Sequence, residues 1–440
     1  MSHSAYLHYA DSGSNWLGAI PSLWSCVPLW AAATCNDEVL PENTAPDEAI
    51  QYVEISGVLA GQGIREVTDY TFEAAPSRAR RRVRDGDVLI STVRTYLRAI
   101  APVVSPPPNM IVSTGFAVLR PKKISAAYLG YAVQAEYFIS EVIARSVGIS
   151  YPAINASDLM RVTIPLPPPR EQTAIAAFLD RETAKIDALV DEQKRLIELL
   201  KEKRQAVISH AVTKGLDPDA PMKDSGVEWL GEVPADWEIR RLASLFREVG
   251  EPGNDELPIL SVSIHHGVSD KELDEDDLER KVSRSDDRSK YKQVQPGDLV
   301  YNMMRAWQGG FGSVQTIGMV SPAYVVARPK TEFATGFIEA LLRTPAAVEE
   351  MRRRSRGVTD FRLRLYWEEF KDLRVALPPV GEQRRLMGHV AEHNARSQAL
   401  IAESAHLIEL LNERRAALVS AAATGKIDVR DVAQDDMEAA

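Results

Sequence analysis

LPPPREQTAIAAFLDRETAKIDALVDEQKRLIELLKEKRQAVISHAVTKGLD, residues 166–217, has a second version 211 positions later, LPPVGEQRRLMGHVAEHNARSQALIAESAHLIELLNERRAALVSAAATGKID, residues 377–428. The two align without a gap and share 21 of 52 positions, including Glu171-Gln172 with Glu382-Gln383 and the run LIELL. From Glu171 to Lys214 there is neither Gly nor Pro, a span of 44 residues, or roughly 66 Å of helix at ~1.5 Å per residue. A proline stop follows each closing strand, Pro165 after Val162–Ile164 and Pro378 after Leu373–Leu377, and an acid then opens each helix, which suits its positive end. The spacing predicts helices starting near Glu171 and Glu382. In the first, Leu179, Ile186, Leu200 and Val207 take one heptad position and Leu189 and Leu196 the next, with Val190 and Ile197 flanking and Gln193 and Lys203 as interruptions. In the second, Val390, Leu411 and Leu418, then Leu400 and Leu407, fall in the same places, and Ser397 and Ser404 weaken the seam. Two equal, half-apolar helices in one chain have a partner in each other, so an antiparallel pair is expected. The alternative packs each helix on its own globular region.

The repeat extends outward from the helices. Asp11-Ser12-Gly13, Trp16-Leu17-Gly18, Pro21 and Trp24 return as Asp224-Ser225-Gly226, Trp229-Leu230-Gly231, Pro234 and Trp237. Asp85-Gly86-Asp87 answers Pro296-Gly297-Asp298, Arg94 answers Arg305, and Arg120-Pro121-Lys122 answers Arg328-Pro329-Lys330. Between these islands the halves diverge. Glycine turns lead into strand-like Val88–Ile90 and Leu299–Tyr301, helical stretches fall at Ala126–Ala144 and Thr335–Arg354, and a short strand closes each region at Val162–Ile164 and Leu373–Leu377. The fold class read from this is α+β: two globular domains separated by an intramolecular antiparallel coiled coil, in a pseudo-twofold repeat. The divisions fall at 1–165, 166–217, 218–376 and 377–428, followed by an acidic tail, 429–440. The four repeated tryptophans read as core packing that docks each globular region on the helices.

The net charge of −10, from 52 basic and 62 acidic residues, argues against a protein that merely coats nucleic acid. The charge is unevenly spread. The first 64 residues hold seven acids and no Lys or Arg, whereas residues 78–98 hold seven Arg against two Asp and residues 343–364 seven Arg against three acids. One such run reads most simply as a solvated helix face; two in corresponding places point to a shared task with a polyanion. Cys26 and Cys35 fit no zinc spacing and read as core thiols of a reducing cytoplasm. No basic leader precedes an apolar stretch, and no window reaches the ~20 apolar residues of a membrane span.

Motifs of catalysis are missing from the sequence. Thr424-Gly425-Lys426 lacks the flanking residues of a phosphate-binding loop, Pro106–Asn109 runs in the wrong order for an amino-methyltransferase tetrapeptide, Gly309–Gly312 is not GxGxxG, and GxSxG does not occur. His265-His266 is an isolated pair, and the acids of Asp270–Asp277 read as a solvated loop rather than a metal site.

The combination of IPLPPPREQ (Ile164–Gln172), TKGLDP (Thr213–Pro218) and DSGVEWLGEVPADWE (Asp224–Glu238) with both repeats resembles the specificity subunit of type I restriction-modification systems, over essentially the whole chain. The resemblance implies a non-catalytic adaptor with two target recognition domains. Each reads half of a bipartite, asymmetric site in double-stranded DNA, and the helices act as spacer. Two methyltransferase subunits supply adenine methylation with S-adenosylmethionine, and two ATP-dependent motor-nuclease (restriction) subunits can join. The chain itself then carries no cofactor and contacts no membrane. The competing reading is a coiled-coil scaffold that binds only protein. Candidate DNA-binding residues follow the glycine–aspartate turns: Ser91, Thr92, Arg94, Tyr96 and Arg98 in the first domain, Asn302, Arg305, Trp307 and Gln308 in the second. Arg suits guanine, Asn and Gln suit adenine, and aromatic rings fill a groove. The coincidence of Arg94 with Arg305 favours phosphate anchoring or a structural ion pair. A second set lies in glycine-centred loops, with Gly148, Ser150 and Tyr151 against Gly357, Thr359, Asp360 and Arg362. Arg80, Arg81 and Arg82, with Arg352 and Arg353 opposite, read as phosphate contacts.

Overall fold

The computed structural model describes residues 4–254, 256–264, 267–269, 290–357 and 363–430. His265-His266, Asp270–Asp277, Thr359, Asp360, Arg362 and residues 431–440 of the acidic tail lie outside the described residues. The chain divides into two compact units. One takes residues 1–194 and 405–440, the other 195–404. Each therefore owns a globular body and half of each long helix.

In the first unit an antiparallel sheet runs in the order Ile100–Pro102, Val88–Ser91, Phe116–Pro121, Ala33–Cys35. A second four-stranded sheet, Thr68–Thr71, Ala49–Val53, Met110–Ser113, Ala79–Arg82, contains one parallel pair. In the second unit the order Phe246–Val249, Tyr324–Pro329, Leu299–Asn302, Phe311–Ser313 reproduces the first sheet reversed in direction of reading, with Leu299 opposite Ala327 as Val88 is opposite Leu119. The fold is α+β. The strands after both glycine turns are buried on both faces, which explains their continuous apolar runs.

One ion pair recurs at each glycine turn. Arg120 grips the buried Asp87 with two hydrogen bonds, 2.9 and 2.8 Å, and reaches Glu38 at 2.5 Å. Arg328 grips the buried Asp298 at 3.0 and 3.0 Å and reaches Glu251 at 2.5 Å. In both, the aspartate also accepts a backbone N–H of its own turn, from Arg84 or Gln295. The repeated Arg-Pro-Lys and Gly-Asp islands are thus two ends of one contact.

The long helices are Pro169–Lys214 and Val380–Ala423. Each starts two residues before the acid expected to open it, because Pro169 and Val380 supply a first helical position that needs no N–H partner. A glutamine fastens each start. Gln172 accepts from the Ser125 N–H at 2.7 Å and donates to Pro167 O at 2.8 Å. Gln383 does the same with Ala334 N–H and Pro378 O, both at 2.7 Å. Both glutamines are buried. Gln172→Ala leaves a donor and an acceptor unsatisfied inside the protein, so a loss of about 1–3 kcal/mol is expected in urea unfolding of the full chain; a loss under 0.5 kcal/mol would show that the clamp is replaced by water.

Within the first unit the helices run antiparallel. Ile186 and Val190 pack against Leu411, and Asp187 pairs with Arg415 at 3.1 Å. Further along, Ile175, Phe178 and Leu179 share a core with Val419 and Ala422. In the second unit Val212 and Leu386 enter one core. The seam differs by one position from the sequence expectation. Val190 is buried while Leu189 and Leu196 face solvent, as do Leu400 and Leu407. Ser397 and Ser404 are themselves buried in the second helix. Val390, Ser397, Ser404 and Leu411 recur every seven residues and are all buried, so this heptad position faces inward and the leucines of the other position turn to solvent.

Other expectations need correction. The helical stretches break into Ala126–Ala132 with Glu136–Arg145, and Thr335–Leu342 with Pro345–Arg354, where Thr344 caps and Pro345 begins the second piece. Pro165 does not end its strand. It lies inside Thr163–Leu166, in a two-stranded ribbon with Ser25–Pro28, where an edge tolerates a missing N–H. Trp24 and Trp237 are buried, and the Trp24 indole donates to Glu171 at 2.9 Å, docking the globular body on its helix. Trp16 is exposed instead, its neighbour Leu17 filling the core. Cys26 and Cys35 are unpaired and half-buried, and burial pushes the Cys35 thiol up to about 11. No helix among the described residues is long and apolar enough to cross a membrane.

Candidate nucleic-acid interface

In the first unit the segment after strand Val88–Ser91 folds as a single 3-10 turn, Thr95–Leu97, flanked by Arg94 and Arg98 in left-handed backbone (φ 50° and 54°). Non-glycine residues adopt that conformation at a cost of order 1 kcal/mol each, and the surroundings must hold them there. They do. Arg94 N–H donates to Pro152 O at 2.8 Å, the Thr95 hydroxyl meets Ser146 at 2.9 Å, and Arg98 binds both oxygens of Glu136 at 2.6 and 2.9 Å. The Arg94 guanidinium lies 4.7 Å above the Tyr151 ring.

The two candidate sets of the first domain are therefore one surface. Ile154 N–H bonds Thr92 O, and Val93 bridges Ala153. Arg94, Tyr96, Ser150 and Tyr151 are exposed on it. Arg98 is half-exposed and engaged by Glu136. Thr92 is half-buried with its hydroxyl on Gly115 O. Ser91 is buried and donates to Val93 O at 2.6 Å, so its hydroxyl holds the turn.

The second unit builds the equivalent surface differently. Its 3-10 turn is Ala306–Gln308, and Gly309 (φ 87°) takes the left-handed position that Arg98 occupies in the first. Asn302 accepts from Met304 N–H, the Trp307 indole donates to Met304 O at 2.9 Å, and Arg305 reaches Gln308 at 3.5 Å. Arg352 stands 5.8 Å over the Trp307 ring. Leu365 N–H bonds Met303 O, while Arg356 and Arg364 exchange backbone bonds, so the base of the glycine loop again abuts the turn.

The arginine clusters sit on unlike elements. Arg80, Arg81 and Arg82 lie on the edge strand Ala79–Arg82. Arg80 stacks on Phe72 at 4.8 Å, Arg81 buries its Nε, and Arg82 is exposed. Arg352, Arg353 and Arg354 form the last turn of helix Pro345–Arg354, where cations suit the negative helix end. Arg353 also approaches Glu349 at 3.7 Å and Arg354 binds Glu350 at 2.6 Å. Sequence reasoning missed the Arg94–Tyr151 stack and the Thr95–Ser146 bond, whose partners are about 50 residues apart. It also missed the Asp87–Arg120 and Asp298–Arg328 pairs, although both ends had been noticed as repeats.

A family model for the type I restriction modification DNA specificity domain matches residues 50–199. The chain is 25% identical over 305 residues to the EcoBI specificity subunit of Escherichia coli, covering 66% of this chain and 64% of that one. The match thus spans less than two thirds of that relative. It is 23% identical over 327 residues to the EcoKI specificity subunit of Escherichia coli strain K12, covering 70% and 68%. A chain from solved work on complex assembly and conformational transition of the type I restriction-modification system superposes with a TM-score of 0.61 at 22% identity, covering 93% of this chain and 99% of that one, a likeness of fold. Repeat, fold and relatives agree: residues 50–199 match the type I restriction modification DNA specificity domain, and the chain is similar over about two thirds of its length to type I restriction enzyme specificity subunits.

Proposed function

We propose that this chain reads a bipartite, asymmetric site in double-stranded DNA, one half with each unit, and carries two methyltransferase subunits to it. Motor-nuclease subunits join the same framework, and S-adenosylmethionine and ATP are used by the partners. One observation carries the reading. In each unit the same ion pair and sheet present a 3-10 turn stitched by backbone bonds to a later segment of the unit, yet the side chains at the turns differ: Arg94 and Tyr96, with Tyr151 beside them, in one, Arg305, Trp307 and Gln308 in the other. Equal frames bearing unlike contact residues suit two related sensors of different half-sites. Leu189, Leu407 and Leu410 in the first unit, and Leu196, Leu199 and Leu400 in the second, remain exposed on the long helices, which supports docking of an apolar partner surface in two matched places. Negative net charge predicts weak DNA binding by the chain alone. Selection from random duplexes by the chain co-purified with its methyltransferase should return two short preferred segments at a fixed gap. Arg94→Ala should weaken binding across sequences and reduce the salt slope by about 1. A complex that prefers no sequence would leave the scaffold reading in its place.

A further inference from the structure

The first unit ends its candidate surface in a hairpin whose tip is apolar and in solvent. Val147 and Ala153 exchange both backbone hydrogen bonds, 2.9 and 3.0 Å, closing the loop Gly148–Pro152. Ile149 is fully exposed, and Val147 and Tyr151 are 80% and 64% exposed. Ser146–Ala153 contains no charged residue.

The tip is held rigidly. Gly148 has φ +117°, and a Cβ there would come within 3.1 Å of Tyr151 O, so the turn requires glycine. Arg94 is bonded to Pro152 through its backbone and stacked on Tyr151 through its side chain. The next arginines are engaged elsewhere, Arg98 with Glu136 and Arg145 with Glu141. A phosphate would find few donors on this loop, and Ile149 offers none. An aliphatic side chain gains free energy only by leaving water, and on DNA the apolar surfaces are thymine methyl groups and unstacked base faces. A loop ordered before binding loses little entropy on docking.

We infer that Ile149, backed by Tyr151, is a specificity-determining residue of the first domain, making base-directed apolar contact in a DNA groove while Arg94 anchors beside it. This rests on the DNA-reading function proposed above, and the second domain is its internal control. The test uses the full chain co-purified with its methyltransferase, wild type against Ile149→Ser and Ile149→Leu, in random-duplex selection and in salt titrations of binding. Ile149→Ser should lower discrimination roughly five- to thirtyfold at one or two adjacent positions of one half-site, leave the other half-site intact and keep the salt slope. Ile149→Leu should retain most of the preference. If the wild type selects both half-sites and Ile149→Ser selects them equally well, the inference falls and the DNA-reading function stands. A changed salt slope, or an even loss across both half-sites, also overturns it. A wild-type complex that selects nothing removes the DNA-reading function itself.

Discussion

Asp298→Ala should destabilise the second unit by about 3–5 kcal/mol. In a unit of some two hundred residues that lowers the melting midpoint by roughly 6–20 °C. Asp298 is fully buried, and its two oxygens take two bonds from Arg328 and one from the Gln295 N–H. The Asp298 hydrogen bonds hold the Arg328 guanidinium above its ordinary pKa; removing them takes that support away, yet an arginine remains ionised at neutral pH even so. The Arg328 side chain is 10% exposed and, among the described residues, keeps Glu251 alone, itself half in solvent. An almost buried cation with one screened partner is the costly arrangement, more costly than losing the pair altogether. Glu251→Ala should accordingly cost under about 1 kcal/mol. Asp87→Ala should cost less than Asp298→Ala, since Arg120 is twice as exposed as Arg328. Thermal and urea unfolding of the three variants test the order. An Asp298→Ala loss below 1 kcal/mol would mean the turn is held by its backbone alone.

The sequence made the repeat and the helices legible because both are local and periodic. Glu171-Gln172 and Glu382-Gln383 mark the helix starts in the sequence itself, and the structure adds why the glutamine recurs: its amide closes both a helix start and the preceding chain. The candidate surface was legible only as separate stretches. Nothing in residues 91–98 announces Tyr151, because the stack depends on the bridge between Val93 and Ala153. Residue type also misled at Ser91, whose hydroxyl is spent inside the turn. The left-handed Arg94 and Arg98 carry no local signal at all; a glycine stands at the second of these positions in the other unit. Side chains that touch across sequence distance, and backbone shapes imposed by tertiary bonds, lie beyond what composition and period encode.

The register of the helix pair shows the same limit and gives a sharp contrast. A strict reading of leucines put Leu189 in the seam and Val190 at its flank. The structure buries Val190 against Ile186 and Leu411 and leaves Leu189 47% exposed. Adjacent helical residues point about 100° apart, so a shift by one position exchanges inside for outside. Val190→Asp places a carboxylate among apolar groups one turn from Asp187, whose own pairing with Arg415 it disturbs. A loss of about 3 kcal/mol or more is expected in urea unfolding. Leu189→Asp replaces an exposed side chain and should change stability by about 0.5 kcal/mol or less. The leucine at that position nonetheless meets the outer face proposed for the methyltransferase, so Leu189→Asp should weaken co-purification of the complex while the chain stays folded. If Leu189→Asp unfolds the pair and Val190→Asp does not, the seam runs through the leucines after all, and the buried serines of the second helix need another explanation.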